Sequence, residues 1–354
     1  LSALRSDNIS RIIKSDPLIL SLGEKLYLKN GHDKDQYTVI RSRLRELGRL
    51  LKQLREQHDT PDAKLNEFID PTKFQDVVHA ARVESGFCDS SHLFHTPSLA
   101  LKLGHSLKKC AKLIRGECLQ TGDKIQQKKA ERFLDLLEMN WTDEVSTHAL
   151  RTLYQNKRNK IKLIPLTQDI VKLTKFLKEE SAEAYKKLQV NAKDVESWSL
   201  LSETVLTQII LFNRRRQGEA SRITLEDYSK KHKADGQKAI VDGLSQFEQK
   251  LVNCLHRVEI IGKRGRTVPV LLTSTVCSYI DALISTRSCV EVHTDNEFVF
   301  ARPTKGSLGH IRGCDCLRDL SVKCKAEEPT LIRSTGLRKQ IATISQVLNL
   351  KENE

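Results

Sequence analysis

In residues 37–57, YTVIRSRLRELGRLLKQLREQ, the side chains of Ile40, Leu44, Leu47, Leu51 and Leu54 recur at steps of three and four. That spacing places them on one face of a helix and excludes a strand, whose faces alternate at every residue. A single apolar stripe must be covered by others. Residues 96–119, TPSLALKLGHSLKKCAKLIRGECL, supply one, with Thr96 and Pro97 as a helix start. Residues 128–141, KKAERFLDLLEMNW, supply another. Strand signals are nearly absent before residue 155, so 1–155 is expected to be a helical bundle.

The pattern breaks at 156–169, NKRNKIKLIPLTQD, a basic stretch holding Pro165 and ending in Thr167 and Asp169. It reads as a linker into a second domain, 170–354, and 354 residues suffice for two domains. This half is mixed. Residues 198–212, WSLLSETVLTQIILF, are apolar enough for a core helix, with Leu201, Val205, Ile209 and Phe212 in register. In 256–273, HRVEIIGKRGRTVPVLLT, two β-branched runs flank Gly262-Lys263-Arg264-Gly265, which predicts a β-hairpin. Pro269 places its strand at an edge or near a strand end. Residues 274–287 return to helix and 296–303 form a short extended piece. A last amphipathic helix, 334–350, is expected to start on Ser334 or Thr335 and to turn Leu337, Ile341, Ile344 and Leu348 inward. The fold class is therefore mainly α with a small β-hairpin or sheet.

Lys and Arg outnumber Asp and Glu by 59 to 45, a net charge of +14. Such a balance favours a polyanionic partner, nucleic acid first and an acidic membrane surface second. Basic clusters at 107–114, 156–162, 214–216, 230–233 and 262–266 are spread along the chain, and each taken singly also fits a solvated face. No stretch approaches the ~18 apolar residues of a membrane span. The chain opens on Leu1 without a signal-peptide pattern, which reads as a fragment at this end. Nine cysteines, an odd number without regular spacing, point to reduced thiols inside the cell. Cys314, Cys316 and Cys324 lack the second Cys-x-x-Cys or His pair that a zinc site needs, so no metal and no cofactor is expected.

Three cationic positions stand on separate predicted elements. Arg216 follows the apolar helix, in LFNRRRQGEASRITLEDY. Lys263 sits at the hairpin tip. Arg338 lies in the first turn of the last helix. The set resembles the tyrosine recombinase, or phage integrase-like, family. Arg216-Gln217-Gly218-Glu219 is similar to its Arg-x-x-Glu pattern. GKRGRTVPV, from Gly262 to Val270, is similar to its lysine hairpin. LRKQIAT, from Leu337 to Thr343, is similar to its second-arginine helix. The wording also resembles mobile-element-derived, Crypton-like members from animals.

The resemblance implies a helical, SAM-like core-binding domain over 1–155 and a mixed α+β catalytic domain over 170–354. It implies cutting and rejoining of double-stranded DNA through a phosphotyrosyl link, without a metal, by a homo-tetramer in the nucleus. Arg216 and Arg338 would hold the non-bridging oxygens with charge-assisted forks. Lys263 would protonate the leaving sugar oxygen. Glu219 would orient Arg216, and Thr335 would support from the position where the family has histidine. Thr335 can donate a hydrogen bond but cannot act as an acid or base near neutral pH. His293 and His310 are the nearby histidines that could substitute. The family's tyrosine lies downstream of the second arginine, after a Gly-His motif. The chain stops at Glu354, sixteen residues past Arg338, with every tyrosine before it. No nucleophile is thus expected in this chain, which reads as truncated before it. The alternative is a domesticated, non-catalytic DNA-binding protein. A basic helical protein binding RNA or a protein partner is a third reading.

Overall fold

The computed structural model describes residues 4–32, 36–158, 163–233, 254–262 and 265–352. The chain divides into two compact units, Leu1–Ile161 and Lys162–Glu354. It is mainly helical, with two small antiparallel sheets among the described residues. No described helix is long and apolar enough to cross a membrane.

The first unit is a bundle of α1 (Asn8–Ser15), α2 (Pro17–Asn30), α3 (Gln36–His58), α4 (Phe74–Glu84), α5 (Pro97–Thr121), α6 (Lys124–Met139) and α7 (Thr147–Lys157). The stripe of α3 is buried as its period predicts, from Ile40 to Leu54. Helix starts follow capping chemistry. Asp16 precedes Pro17 and accepts the Ile19 N–H at 2.9 Å. Its second oxygen accepts the Leu65 N–H at 2.7 Å, so a fully buried carboxylate ties α2 to the short turn Leu65–Phe68. A two-residue hairpin, β1 (Phe87–Cys88) with β2 (Leu93–Phe94), interrupts the helices.

In the second unit, α8 (Thr167–Val190) and α9 (Val195–Asn213) form a helical hairpin. Helix α9 is a core helix, as expected. Trp198, Leu201, Val205 and Ile209 are buried, whereas Phe212 at its end is 54% exposed. Helix α8 begins at Thr167, inside the stretch expected to be linker, and the described non-helical residues before it are 163–166. Asp169, rather than capping α8, accepts the backbone N–H groups of Glu327 at 2.8 Å and Glu328 at 2.9 Å.

Two one-turn helices follow, α10 (Gln217–Ser221) and α11 (Leu225–Ser229). Then come β3 (His232–Lys233), β4 (Leu255–Ile261) and β5 (Thr267–Thr273) in the antiparallel order β3-β4-β5. The hairpin register runs from Leu255 opposite Thr273 to Ile261 opposite Thr267. Strand β5 is an edge, which is where Pro269 is tolerated. The chain closes with α12 (Ser274–Ser285), α13 (Gly313–Lys323) and α14 (Ser334–Glu352). Residues 296–303 contribute single bridges, Phe298 to Thr224 and Ala301 to His310, rather than a strand.

The expectation for the last helix needs two corrections. It begins at Ser334, so neither Ser334 nor Thr335 stands before the first turn as a cap. Only Leu337 of the expected inward face is buried among the residues whose side chains are described, with Ile341 44% and Ile344 37% exposed. The inward contact is completed instead by Gln340, which donates to the Pro165 carbonyl at 2.9 Å.

Candidate functional site

The three adjacent arginines of 214–216 go three ways. Helix α9 ends on Arg214, whose backbone is left-handed at φ 51° and whose N–H still reaches the Ile210 carbonyl. Arg215 is exposed. Arg216 precedes α10, and its Nη1 donates to Glu219 Oε1 at 3.0 Å. Glu219 lies three residues on because α10 is a single turn, which brings positions i and i+3 together. The Glu219 side chain is 8% exposed and that of Arg216 is 52% exposed. The acid is a buried anchor, and the guanidinium it holds still faces solvent.

The hairpin arrives at the same carboxylate. A side-chain carbon at Gly262 would meet Val268 Cγ2 at 2.4 Å and would stand 3.4 Å from Glu219 Oε1. Val268 on the facing strand makes glycine necessary here, and Glu219 then stands at ordinary contact distance from the end of β4. Gly262 N–H donates to the Arg266 carbonyl at 2.7 Å and begins the turn. Lys263, the candidate acid at its tip, lies outside the described residues.

Helix α14 joins through its first residue. Ser334 Oγ accepts the Gln217 N–H at 3.2 Å and donates to the Arg215 carbonyl at 2.9 Å. One hydroxyl thus bridges the backbone on both sides of Arg216. Arg338 sits one turn further along α14, about 6 Å up the axis. Its Nε is buried and finds no acceptor, and no carboxylate pairs with Arg338 among the described residues. Thr335 is exposed beside Ser334.

The structure therefore brings Arg216, Glu219, the hairpin base at Gly262 and the start of α14 into one cluster. It carries a solvent-facing cation paired to a buried acid, and Arg338 follows one turn along α14 with no carboxylate partner among the described residues. A planar guanidinium fork of this kind can bind the oxygens of a phosphate or carboxylate. The sequence reading missed Ser334 as a bridge, because a serine before a helix reads as a cap.

The other candidates serve local structure. His310 Nδ1 lies 2.9 Å from the Ile311 carbonyl, and His293 Nδ1 accepts the Asp295 N–H. Tyr228 is buried and donates to Asp281 Oδ1 at 2.8 Å and to the Cys277 carbonyl at 3.0 Å. Burial first, and then the Asp281 contact, push its phenol far above the usual range. The Tyr185 and Tyr279 rings pack on each other at 4.9 Å. Cys316 and Cys324 are buried members of the core, and all nine cysteines are free thiols.

No protein-family model and no curated protein matches the chain. Among solved structures, it is similar to the XerH site-specific recombinase bound to difH substrate in a pre-cleavage complex. The identity is 16% and the TM-score 0.38, over 96% of this chain and 87% of that one. It is also similar to XerH bound to palindromic difH substrate in a post-cleavage complex, at 15% identity and a TM-score of 0.39, over 92% and 83% of the two chains.

Proposed function

We propose that this protein binds double-stranded DNA and grips one phosphodiester at the Arg216–Arg338 cluster, in the manner of a tyrosine recombinase. The observation that carries this reading is the meeting of three segments far apart in sequence. Each bears a residue that the strand-transfer chemistry requires, and the net charge of +14 supplies the attraction to DNA.

In the reaction, a hydroxyl attacks phosphorus and the bond from phosphorus to the leaving sugar oxygen breaks. Negative charge grows on the two non-bridging oxygens. Arg216 and Arg338 are the groups to hold it, and Glu219 keeps Arg216 aimed. Thr335 can add one hydrogen bond. Lys263 would give its proton to the leaving oxygen. Fixed donors of this kind are worth roughly 3 kcal/mol each in the transition state. The second reading is a DNA-binding protein that does not cut. Within this unit the hydroxyl of Tyr228, the tyrosine nearest Arg216 in sequence, is committed to Asp281.

The test is fluorescence anisotropy on a duplex at 50 and 200 mM salt. Affinity should fall by about 100-fold or more over that range, since each neutralised phosphate steepens the salt dependence. Arg216→Ala and Arg338→Ala should each lower the salt slope by about one. Binding that ignores salt, or that both substitutions leave untouched, would sink the proposal. A denaturant-stable adduct on a nicked duplex separates the cutting reading from the binding one.

A further inference from the structure

Away from this cluster, the second unit contains a cleft of about 380 Å³ between α8, α9, β5 and the start of α12. Its walls include Leu177, Phe212, Leu271 and Val276, and its polar groups include Arg214 and Lys178. Among the described residues, no acidic side chain lines it. Its size falls at the low end of small-ligand cavities, which run from about 300 to 1,000 Å³.

The walls are built in advance. Strand β5 is an edge strand, so the outward N–H and C=O of Leu271 would lack partners. Asn213 supplies both. Its Nδ2 donates to the Leu271 carbonyl at 2.9 Å, and its Oδ1 accepts the Leu271 N–H at 2.8 Å. This amide clamp fixes the end of α9 against β5 and places Arg214, the next residue, at the cleft. A cation at a helix C-terminus is ordinary, because it offsets the partial negative charge there. That explanation does not cover the side chain. Arg214 Nη1 is buried with no acceptor, and neither Arg214 nor Lys178 is ion-paired among the described residues. Burial with no neighbouring carboxylate makes the guanidinium less basic than usual. Arg214 is half-buried, and a guanidinium nitrogen withdrawn from water without an acceptor is costly to the fold unless something anionic meets it.

We propose that this cleft is a binding site for a small amphipathic anion. A carboxylate head would sit on the Arg214 fork with Lys178 at the rim, and an apolar body would lie along Leu177, Phe212 and Leu271. The planar fork suits a carboxylate in two-point contact. The site shares no residue with the DNA-phosphate cluster, so either can stand without the other.

The test is calorimetric titration of the full chain with decanoate and with the neutral 1-decanol. Decanoate should bind one per chain, and decanol at least tenfold more weakly. Arg214→Gln should erase the difference between the two. Phe212→Glu, at an exposed lip position that does not threaten folding, should weaken decanoate at least tenfold and decanol by a smaller factor, since both lose an apolar wall and only the anion meets the new like charge. The proposal is overturned if the chain takes up no decanoate, or takes up many molecules without saturation at one. It is overturned equally if acid and alcohol bind alike, or if decanoate binding survives Phe212→Glu unchanged.

Discussion

Around Asp16, segments of the first unit meet on a buried carboxylate whose two oxygens each receive a backbone N–H. At the start of α14, Ser334 meets the Arg215–Gln217 segment of the second unit, and one turn on lies Arg338, whose buried Nε meets no acceptor. Both are charges withdrawn at least in part from water, and they are treated in opposite ways. The first is fully used by the fold. The second is left with bonding capacity that the fold does not consume. Several cations of the first unit are likewise used, Arg45 with Asp7, Arg49 with Glu84 and Lys129 with Asp70, although Arg55 keeps one buried nitrogen without an acceptor while its Nε donates to the Ala63 carbonyl. A charge that the fold completes is a stability element. One that it leaves open, held by neighbours that are themselves well bonded, is a candidate for a ligand.

Substitution should separate the two kinds. The largest effect is expected from Asp16→Ala. It removes the cap of α2 and leaves the Ile19 and Leu65 N–H groups without partners, a loss of about 2–4 kcal/mol. Urea unfolding of the full chain measures it, and a loss well under 1 kcal/mol would break the contrast. Arg338→Met should do the reverse. Removing a buried donor that has no partner costs the fold little, so unfolding free energy should stay within about 0.5 kcal/mol. The same variant should lose duplex affinity and salt slope. If it unfolds as readily as the Asp16 variant, Arg338 is a structural residue.

What could be read without coordinates follows the range of the interaction. Helix α3, the buried α9 and the β4–β5 hairpin rest on local periodicity and turn glycines, and all three stand where their patterns put them. Arg216, Glu219 and Arg338 were visible as residue types in a familiar order, but nothing local said that their segments touch. Ser334 shows the reason. A hydroxyl at a helix start has one common local use, capping its own first turn. Here it is spent on Gln217, 117 residues away, and on the Arg215 carbonyl. The exposed Ile341 and Ile344 make the same point from the other side. Amphipathic spacing says which residues share a face and not whether anything covers that face.

The smallest effect concerns acid, and it sharpens the comparison by showing the first unit's charges at work. The Arg45 guanidinium, whose Nη2 lies 2.6 Å from Asp7 Oδ2, holds the Asp7 carboxyl down to about 2, with help from the Ser10 N–H. A carboxyl in an unfolded chain titrates near 3.9. The folded value is the lower one, so the unfolded state takes up protons first as pH falls. The stabilisation is thus fully present above about pH 4 and is lost as pH drops through about 2. Both partners are roughly a quarter exposed, which keeps the contribution small and salt-sensitive. Asp70, held to about 2 first by Lys129 and then by Thr72, adds a second acid step in the same window. The measurement is therefore a difference: the gap in unfolding midpoint between the natural chain and Asp7→Asn, followed from pH 5 to pH 2. The gap should close as the solution is acidified and widen again at neutral pH. A gap that stays constant across the window would mean that the Asp7–Arg45 pair contributes nothing to stability, and that a charge completed by the fold is no more structural at this position than an open one.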